Sequence, residues 1–593
     1  MAVPPGPLYL LRSSAGLVVP PLVAYAFLRV VEQQLVVRLP VWLSLIAVVS
    51  ATPGLFIFQR YYKRFRDIRA ASANNAFLAP AVQEEWPSIF GTSLVRAIMD
   101  NLNIGYIGDV FLVWMEKYGP IYQLRLPLEN RVVTFDPDHI KAITATQFDA
   151  FEKGSTLHNM MHSFLGTGVF NSDGDMWKFH RTMTRPFFTR ERISHFDIFD
   201  AHADDALKQA ASRLEEGHPI DFQDLVSRFT LDSATLFLFG SDVESLSAGL
   251  PYPPNSTVKN SPHFLNHPAN VFAEAFLAGQ VQLAQRTRFG PNWPLLEFWG
   301  DKIKPLREVM DKFTEPLMVE ALEKKRLRAA EKSNKHEMEP EDDTLLMHLV
   351  NHTEDPIILK DELLNLLVAG RDTTASTLTF AFYMLAEHPK IAERLRQEIL
   401  EKVGPSRRPT YEDIRDMRYL RAFLNEVLRL YPAVPFDSRS STKPTILTSR
   451  APGSKPYYIP ANTRVIYGLF NMHRRTDLWG PDALEFDPDR FLDHRLHKYL
   501  LPNPYIFSPF NAGPRICLGQ QFAYQESSFF LIRLLQHFTN FSLAPDAQPE
   551  DTKPPLSWSK CGGRKAIEKV RPGSHLTMYS RGGLWVRMDQ ITG

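Results

Sequence analysis

Hydrophobic patterning splits the chain near residue 70. Leu39 to Phe58 (LPVWLSLIAVVSATPGLFIF) runs for 20 residues without a charge. As a helix such a run is ~30 Å long, the thickness of a bilayer core, and predicts a membrane span. The following QRYYKRFRDIRAA carries Arg60, Lys63, Arg64, Arg66 and Arg69. A basic flank of this kind stays on the cytoplasmic side, and the paired tyrosines suit the interface. The earlier apolar stretch from Ala15 to Val31 contains Pro20, Pro21 and Arg29. It predicts a poorer second span or an interfacial segment. No compact basic, apolar and small-residue succession ends before the second stretch, which argues against a cleaved signal peptide. Residues 1–70 therefore read as an N-terminal membrane anchor, with spans at 15–31 and 39–58, and residues 71–593 as one large globular domain.

Beyond Ala70 long amphipathic helical segments dominate: Phe196–Leu214, Lys302–Lys332, Leu359–Glu387, Lys390–Val403, Tyr411–Leu430 and Gln520–Phe538. Gly119–Asp136 reads as two strands around a turn at Leu128–Asn130. Leu250–Pro262 is a Pro-rich surface loop, Lys332–Asp343 a charged solvated loop, and Pro549–Lys565 a further loop insertion. The pattern is mainly α with a minor β part. Hydrophobic content of 44% supplies an ample core, and a net charge of +1 provides no field for nucleic acid. Two cysteines, Cys517 and Cys561, are too few for a disulfide framework. Neither a phosphate-loop motif nor an HExxH zinc helix is present.

Cys517 lies in FNAGPRICLGQQFA, just before an apolar helix, whereas Cys561 sits in the late loop as a free surface thiol. Free N–H groups and the positive dipole end at a helix start favour thiolate. Gly513 and Gly519 permit tight turns and close approach. Phe510 can cover the sulfur, and Arg515 can reach an anion. A thiolate so held is a good axial ligand for iron, although a reduced buried cysteine is the simpler reading of the residue alone. In LLNLLVAGRDTTASTLTF three features interrupt a nearly all-apolar, and so buried, helix: Gly370, the acid Asp372, and Thr373, whose hydroxyl can bond the carbonyl of Ala369 and bend the helix. Glu426 and Arg429 in NEVLR share a helix face, as do Trp177 and Arg181 in MWKFHR.

The spacing Phe510-x-x-Gly513-x-Arg515-x-Cys517-x-Gly519 resembles the haem loop of the cytochrome P-450 family of haem-thiolate monooxygenases. NEVLR, FDPDRF with Arg490, AGRDTT and MWKFHR fall in that family's order. The resemblance covers roughly Gly119 to the C-terminus and implies a triangular, mainly α prism with a small β-rich lobe. It implies haem b (heme) with Cys517 as the iron ligand and Trp177, Arg181, Arg439 and Arg515 on the haem propionates. Glu426, Arg429 and Arg490 become a buried network that fixes the haem loop, and Thr373 with Asp372 the proton-delivery pair for dioxygen. Lys178 and His180 read as solvated or partner-facing.

Expected partners are O2, an apolar small-molecule substrate, the endoplasmic reticulum membrane and NADPH-cytochrome P-450 reductase, since no flavin or nicotinamide domain is visible. The Arg371-containing AGRDTT, the cysteine loop and the late GGRK…SHLTMY region resemble fungal alkane- and fatty-acid-hydroxylating members. That implies hydroxylation of long chains near the terminus, with Leu366, Ala369, Ala433, Val434 and Phe436 as substrate contacts. Xenobiotic or polycyclic aromatic oxidation is the alternative. A haem isomerase or dehydratase, or a silent haem sensor, fits the complete motif set less well.

Overall fold

The computed structural model describes residues 3–35, 39–84, 91–126, 129–189, 196–332 and 344–591. The charged segment 333–343 and part of the turn predicted at Leu128–Asn130 lie outside them.

Two N-terminal helices, Pro5–Leu35 and Val41–Ala73, are long and apolar enough to cross a membrane, and no residue of their apolar windows is buried. The first passes through Pro20 and Pro21 without ending. The Thr52 hydroxyl donates to the Leu17 carbonyl at 3.0 Å and ties the pair together. The second continues through its basic flank, so the division at residue 70 falls inside a helix rather than at a linker.

The globular part is mainly helical around one long central helix in three pieces: Pro356–Leu367, a π-helical turn Val368–Asp372, and Thr373–Glu387. Its apolar residues lie all round the helix because both halves are enclosed. Leu359, Leu363 and Leu367 join a core with Phe272, Phe276 and Met310. Leu378, Phe380 and Phe382 join a second core with Phe222, Phe229, Phe529 and Phe530. The cysteine helix, Gln520–His537, brings Phe529 and Phe530 into that second core.

The predicted helix Tyr411–Leu430 is two helices, Tyr411–Asp416 and Arg418–Leu430, broken at an extended Met417. Glu398, from the neighbouring helix Pro389–Lys402, accepts from the amides of Tyr419 and Leu420 at 2.9 and 2.8 Å. A carboxylate on free N–H groups stabilises a new helix start there.

The main sheet has the order Ile121–Arg125, Asn130–Thr134, Arg464–Gly468, Phe436–Ser441, Phe151–Glu152. Asn130–Thr134 and Arg464–Gly468 pair in parallel, placing Arg131 beside Arg464; the other pairs are antiparallel. A late hairpin, Pro572–Ser574 with Met578–Ser580, reaches back to the core through the Met578 amide and the Ala433 carbonyl at 2.9 Å.

Candidate active site

The cysteine loop is held by its backbone. The Cys517 amide donates to the Phe510 carbonyl at 3.0 Å, and the Phe510 ring packs on Tyr524 at 5.1 Å between centroids. Gly513 has φ +68°, and a Cβ there would overlap the Thr144 carbonyl. Only glycine fits that turn. Gly519 is less constrained: a Cβ would lie 3.5 Å from Phe188 and 3.9 Å from the cysteine sulfur. Phe188, which belongs to none of the motifs, therefore packs on the turn that follows the cysteine.

Cys517 lies deep in the protein yet keeps an exposed surface, so it faces an internal space rather than packed atoms. Its pKa is raised. Burial outweighs the Gly519 amide and the Arg181 charge, both of which pull it down. The helix start thus does not by itself give the thiolate expected from the sequence. A cation at the sulfur would reverse the sign, since a metal-bound thiol is deprotonated outright. Cys561 is exposed in the late loop.

Beside the loop stands a cluster of cations. Arg515 donates to Asp173 at 2.6 Å and to the Ser172 carbonyl at 3.1 Å, while its buried Nε has no partner. Arg439 donates to Asp437 at 2.8 Å, and Lys153 meets the same carboxylate at 3.1 Å. Arg181 donates to the Ile516 carbonyl at 3.0 Å. Trp177 lies under both guanidiniums, with Arg515 at 4.5 Å and Arg181 at 5.8 Å from the ring centroid. Four cations meet two carboxylates. The strain shows in Lys153, pulled down to about 8, and Arg515, pulled down to about 10, first by burial and then by the Arg439 charge. A group bringing two more carboxylates would balance the cluster. Together with the thiol facing its space, this fits haem.

Glu426, Arg429 and Arg490 meet in the core. Arg429 forks onto Glu426 at 2.6 and 2.8 Å and donates to the carbonyls of His473, Ala483 and Glu485. Arg490 approaches Glu426 at 3.5 Å and holds Asp482 at 3.1 Å. The network pins the segment His473–Arg490 to the Glu–Arg helix.

The central helix opens at Val368–Asp372, and the Thr373 hydroxyl donates to the Ala369 carbonyl at 2.8 Å. Gly370 lets the neighbouring helix approach, because a Cβ there would come within 2.9 Å of the Ala234 methyl. Asp372 accepts from Gln280 at 2.5 Å and pairs with Arg371 at 3.0 Å. Burial still raises its pKa. Glu526 lies on the cysteine helix and belongs to none of the sequence motifs. It is fully buried with no well-formed hydrogen bond to either oxygen, and burial holds its pKa well above the carboxylate range, with Thr374 near enough to offset it only in part. A neutral, protonated carboxyl is the form that environment favours.

His180 departs from expectation. It is fully buried, with Nδ1 at 3.0 Å from Glu362 and Nε2 at 3.0 Å from the Thr167 carbonyl. Burial lowers its pKa, but Glu362 wins and the net shift is upward. It locks its helix to the central helix. Lys178 is exposed and pairs with Asp175.

A cavity of about 180 Å³ opens on the main sheet, with Phe111, Leu124, Leu157, Met161, Phe436 and Ile466 among its apolar walls. Of the five expected substrate contacts, Phe436 lines it. Leu366 and Ala433 are buried in the core, and Ala369 and Val434 are half-buried elsewhere.

A buried thiol facing an internal space, set against arginines short of counter-charge inside a mainly helical fold, is the arrangement a haem-thiolate oxidoreductase needs. Comparison with known proteins agrees. The family model for cytochrome P-450 matches residues 103–560. Cytochrome P-450 52A3-A of Candida maltosa is 34% identical over 513 residues, covering 84% of this chain and 89% of its own length. Cytochrome P-450 52A1 of Candida tropicalis is 38% identical over 435 residues, 72% of this chain and 75% of that protein. Cytochrome P-450 monooxygenase pvhE of Talaromyces variabilis is 36% identical over 467 residues, 75% and 80% of the two chains. The chain belongs to the cytochrome P-450 family. It is a haem-thiolate monooxygenase, an oxidoreductase that incorporates molecular oxygen with electrons from a redox partner.

Proposed function

We propose that this protein hydroxylates long apolar chains, fatty acids and n-alkanes, near the chain terminus. It does so as an endoplasmic reticulum protein of two parts, anchor 1–70 and catalytic domain 71–593, fed by NADPH-cytochrome P-450 reductase. The observation that carries this reading is a shared strand. Phe436–Ser441 contributes Phe436 to the apolar cavity and Arg439 to the cation cluster, with Asp437 touching both. That strand links the cavity to the cluster proposed to hold the haem, and the cavity's apolar walls reward each buried CH₂ by ~0.8 kcal/mol.

Cys517 is the residue to ligate the iron, supported at Phe510, Gly513 and Gly519. Trp177, Arg181, Arg439 and Arg515 hold the propionates. When bound, the haem supplies the activation of dioxygen. The chain supplies orientation, dryness and protons. Thr373 offers a hydroxyl at the opening of the central helix, already turned to the Ala369 carbonyl. Asp372, with its raised pKa, holds a proton more readily than an ordinary carboxylate and is the residue to relay it at this opening. Arg371 and Gln280 keep that carboxyl in place. The Glu426–Arg429–Arg490 network keeps the loop in register.

The test is turnover with the reductase, NADPH and a chain-length series of alkanes and fatty acids, with product positions read by mass spectrometry. Terminal and near-terminal alcohols are expected from the native protein and from Cys561→Ala, and none from Cys517→Ala. Turnover of polycyclic aromatics with no chain oxidised would overturn the substrate assignment.

A further inference from the structure

The cavity has a charged end that an alkane does not need. Arg288 and Arg464 line it. Arg464 donates to the Ser438 hydroxyl at 3.2 Å and the Thr287 carbonyl at 3.1 Å. Arg288 donates to the Ser574 carbonyl at 2.9 Å. Among the described residues, neither guanidinium has a carboxylate at ion-pair distance. Both lie deep, yet both keep accessible surface, so their free faces turn into the cavity.

The surroundings add positive charge rather than remove it. Arg131, the sheet neighbour of Arg464, donates to the Arg288 carbonyl at 3.1 Å and is already matched by Glu129 at 2.6 Å. Arg581 lines the same end and donates to the carbonyls of Leu102 and Asn103. Asp437 is committed to Arg439 and Lys153. His575, against Arg288, is held neutral, its pKa pulled down to about 3 by burial and then by the charges of Arg288 and Arg371. Burial and like charges pull Arg464 down to about 10, and Arg288 falls as far. Like charges side by side in a sheet destabilise it, and buried cations without counter-charge are costly. Such an arrangement persists where an anionic ligand completes it. Arginine pairs suit carboxylates because the planar fork donates two parallel hydrogen bonds.

We infer that Arg288 and Arg464 form the head-group site for a long-chain carboxylate, whose hydrocarbon tail lies along Phe436 and Ile466 toward the haem. This rests on the proposed reading of the cavity as the chain-binding site, and it selects fatty acids over n-alkanes within it. A carboxylate fixed at one end would also set which carbon reaches the haem, because position along the chain is then measured from the head.

Equilibrium dialysis of the haem-loaded protein against radiolabelled dodecanoic acid, its methyl ester, dodecane and dodecyl phosphate tests it. The acid is expected to bind at least tenfold more tightly than the ester. In Arg288→Gln and Arg464→Gln, checked for unchanged haem content, that ratio should fall toward one. Equal binding of acid and ester by the native protein overturns the head-group site while leaving the chain reading intact. That result would follow if the haem propionates took these arginines. Tighter binding of dodecyl phosphate than of the acid overturns the carboxylate assignment. No binding of any chain overturns both readings.

Discussion

Arg429→Lys separates the charge of the Glu426 network from its geometry. Arg429 is fully buried, and its guanidinium makes five hydrogen bonds, two to Glu426 and one each to the carbonyls of His473, Ala483 and Glu485. Lysine keeps the charge but has three donors at one point, so at least two of these five contacts are lost. A buried polar group left unpaired costs ~1–3 kcal/mol, which puts the loss at ~2–6 kcal/mol. Domains are stable by only ~5–15 kcal/mol, so the variant should fold but fail early. Unfolding of a chain this long is not all-or-none, so the assay is the half-life of haem retention at a fixed elevated temperature, compared with native protein. Even ~2 kcal/mol is ~30-fold in an equilibrium constant. A marked shortening is expected, together with a lower circular-dichroism midpoint. Arg415→Lys, at a fully exposed pair with Asp416, is the control and should behave as native protein. Native half-life and midpoint in Arg429→Lys would refute the claim that the fork itself holds the segment.

Gly513→Ala should abolish haem incorporation, because the new Cβ meets the Thr144 backbone and φ +68° costs a side chain a further ~1–2 kcal/mol; Gly519→Ala, with its nearest atom at 3.5 Å, should keep most of it. Equal haem content in the two would contradict the steric account. His473 is pulled down to about 3 by burial and then by the Arg429 charge, and its Nε2 accepts the Ser508 amide. An ordinary histidine titrates near ~6.5, so the unfolded chain binds the extra proton first. This group's stability is therefore present above about pH 6.5 and lost as pH falls toward 3, by up to ~1.4 kcal/mol per unit. His473→Asn should flatten the acid limb of a midpoint-against-pH curve, and an unchanged limb would count against it.

Much of this protein is written locally. The uncharged run Leu39–Phe58, the helix Gln520–His537 to within a residue, and the opening at Thr373 could be read because each is set by neighbours within a few positions. The same holds for the spacings that align Glu426 with Arg429 and Trp177 with Arg181, since one helical turn is enough to define a face. What the tertiary structure decided was burial and counter-charge, which are sums over distant segments. His180 looked like surface until Glu362 came to meet it. The helix after Met417 starts where Glu398 supplies a carboxylate from another element. Helix-start logic favours a thiolate at Cys517, but desolvation by the whole surrounding core reverses the shift. Arg131 and Arg464 are distant in the chain and adjacent in the sheet. Nothing in either local sequence says that a third arginine from the end of helix Pro268–Phe289 will join them without a carboxylate to spare. A side chain's polarity is local, but whether it is left unpaired depends on every segment folded against it.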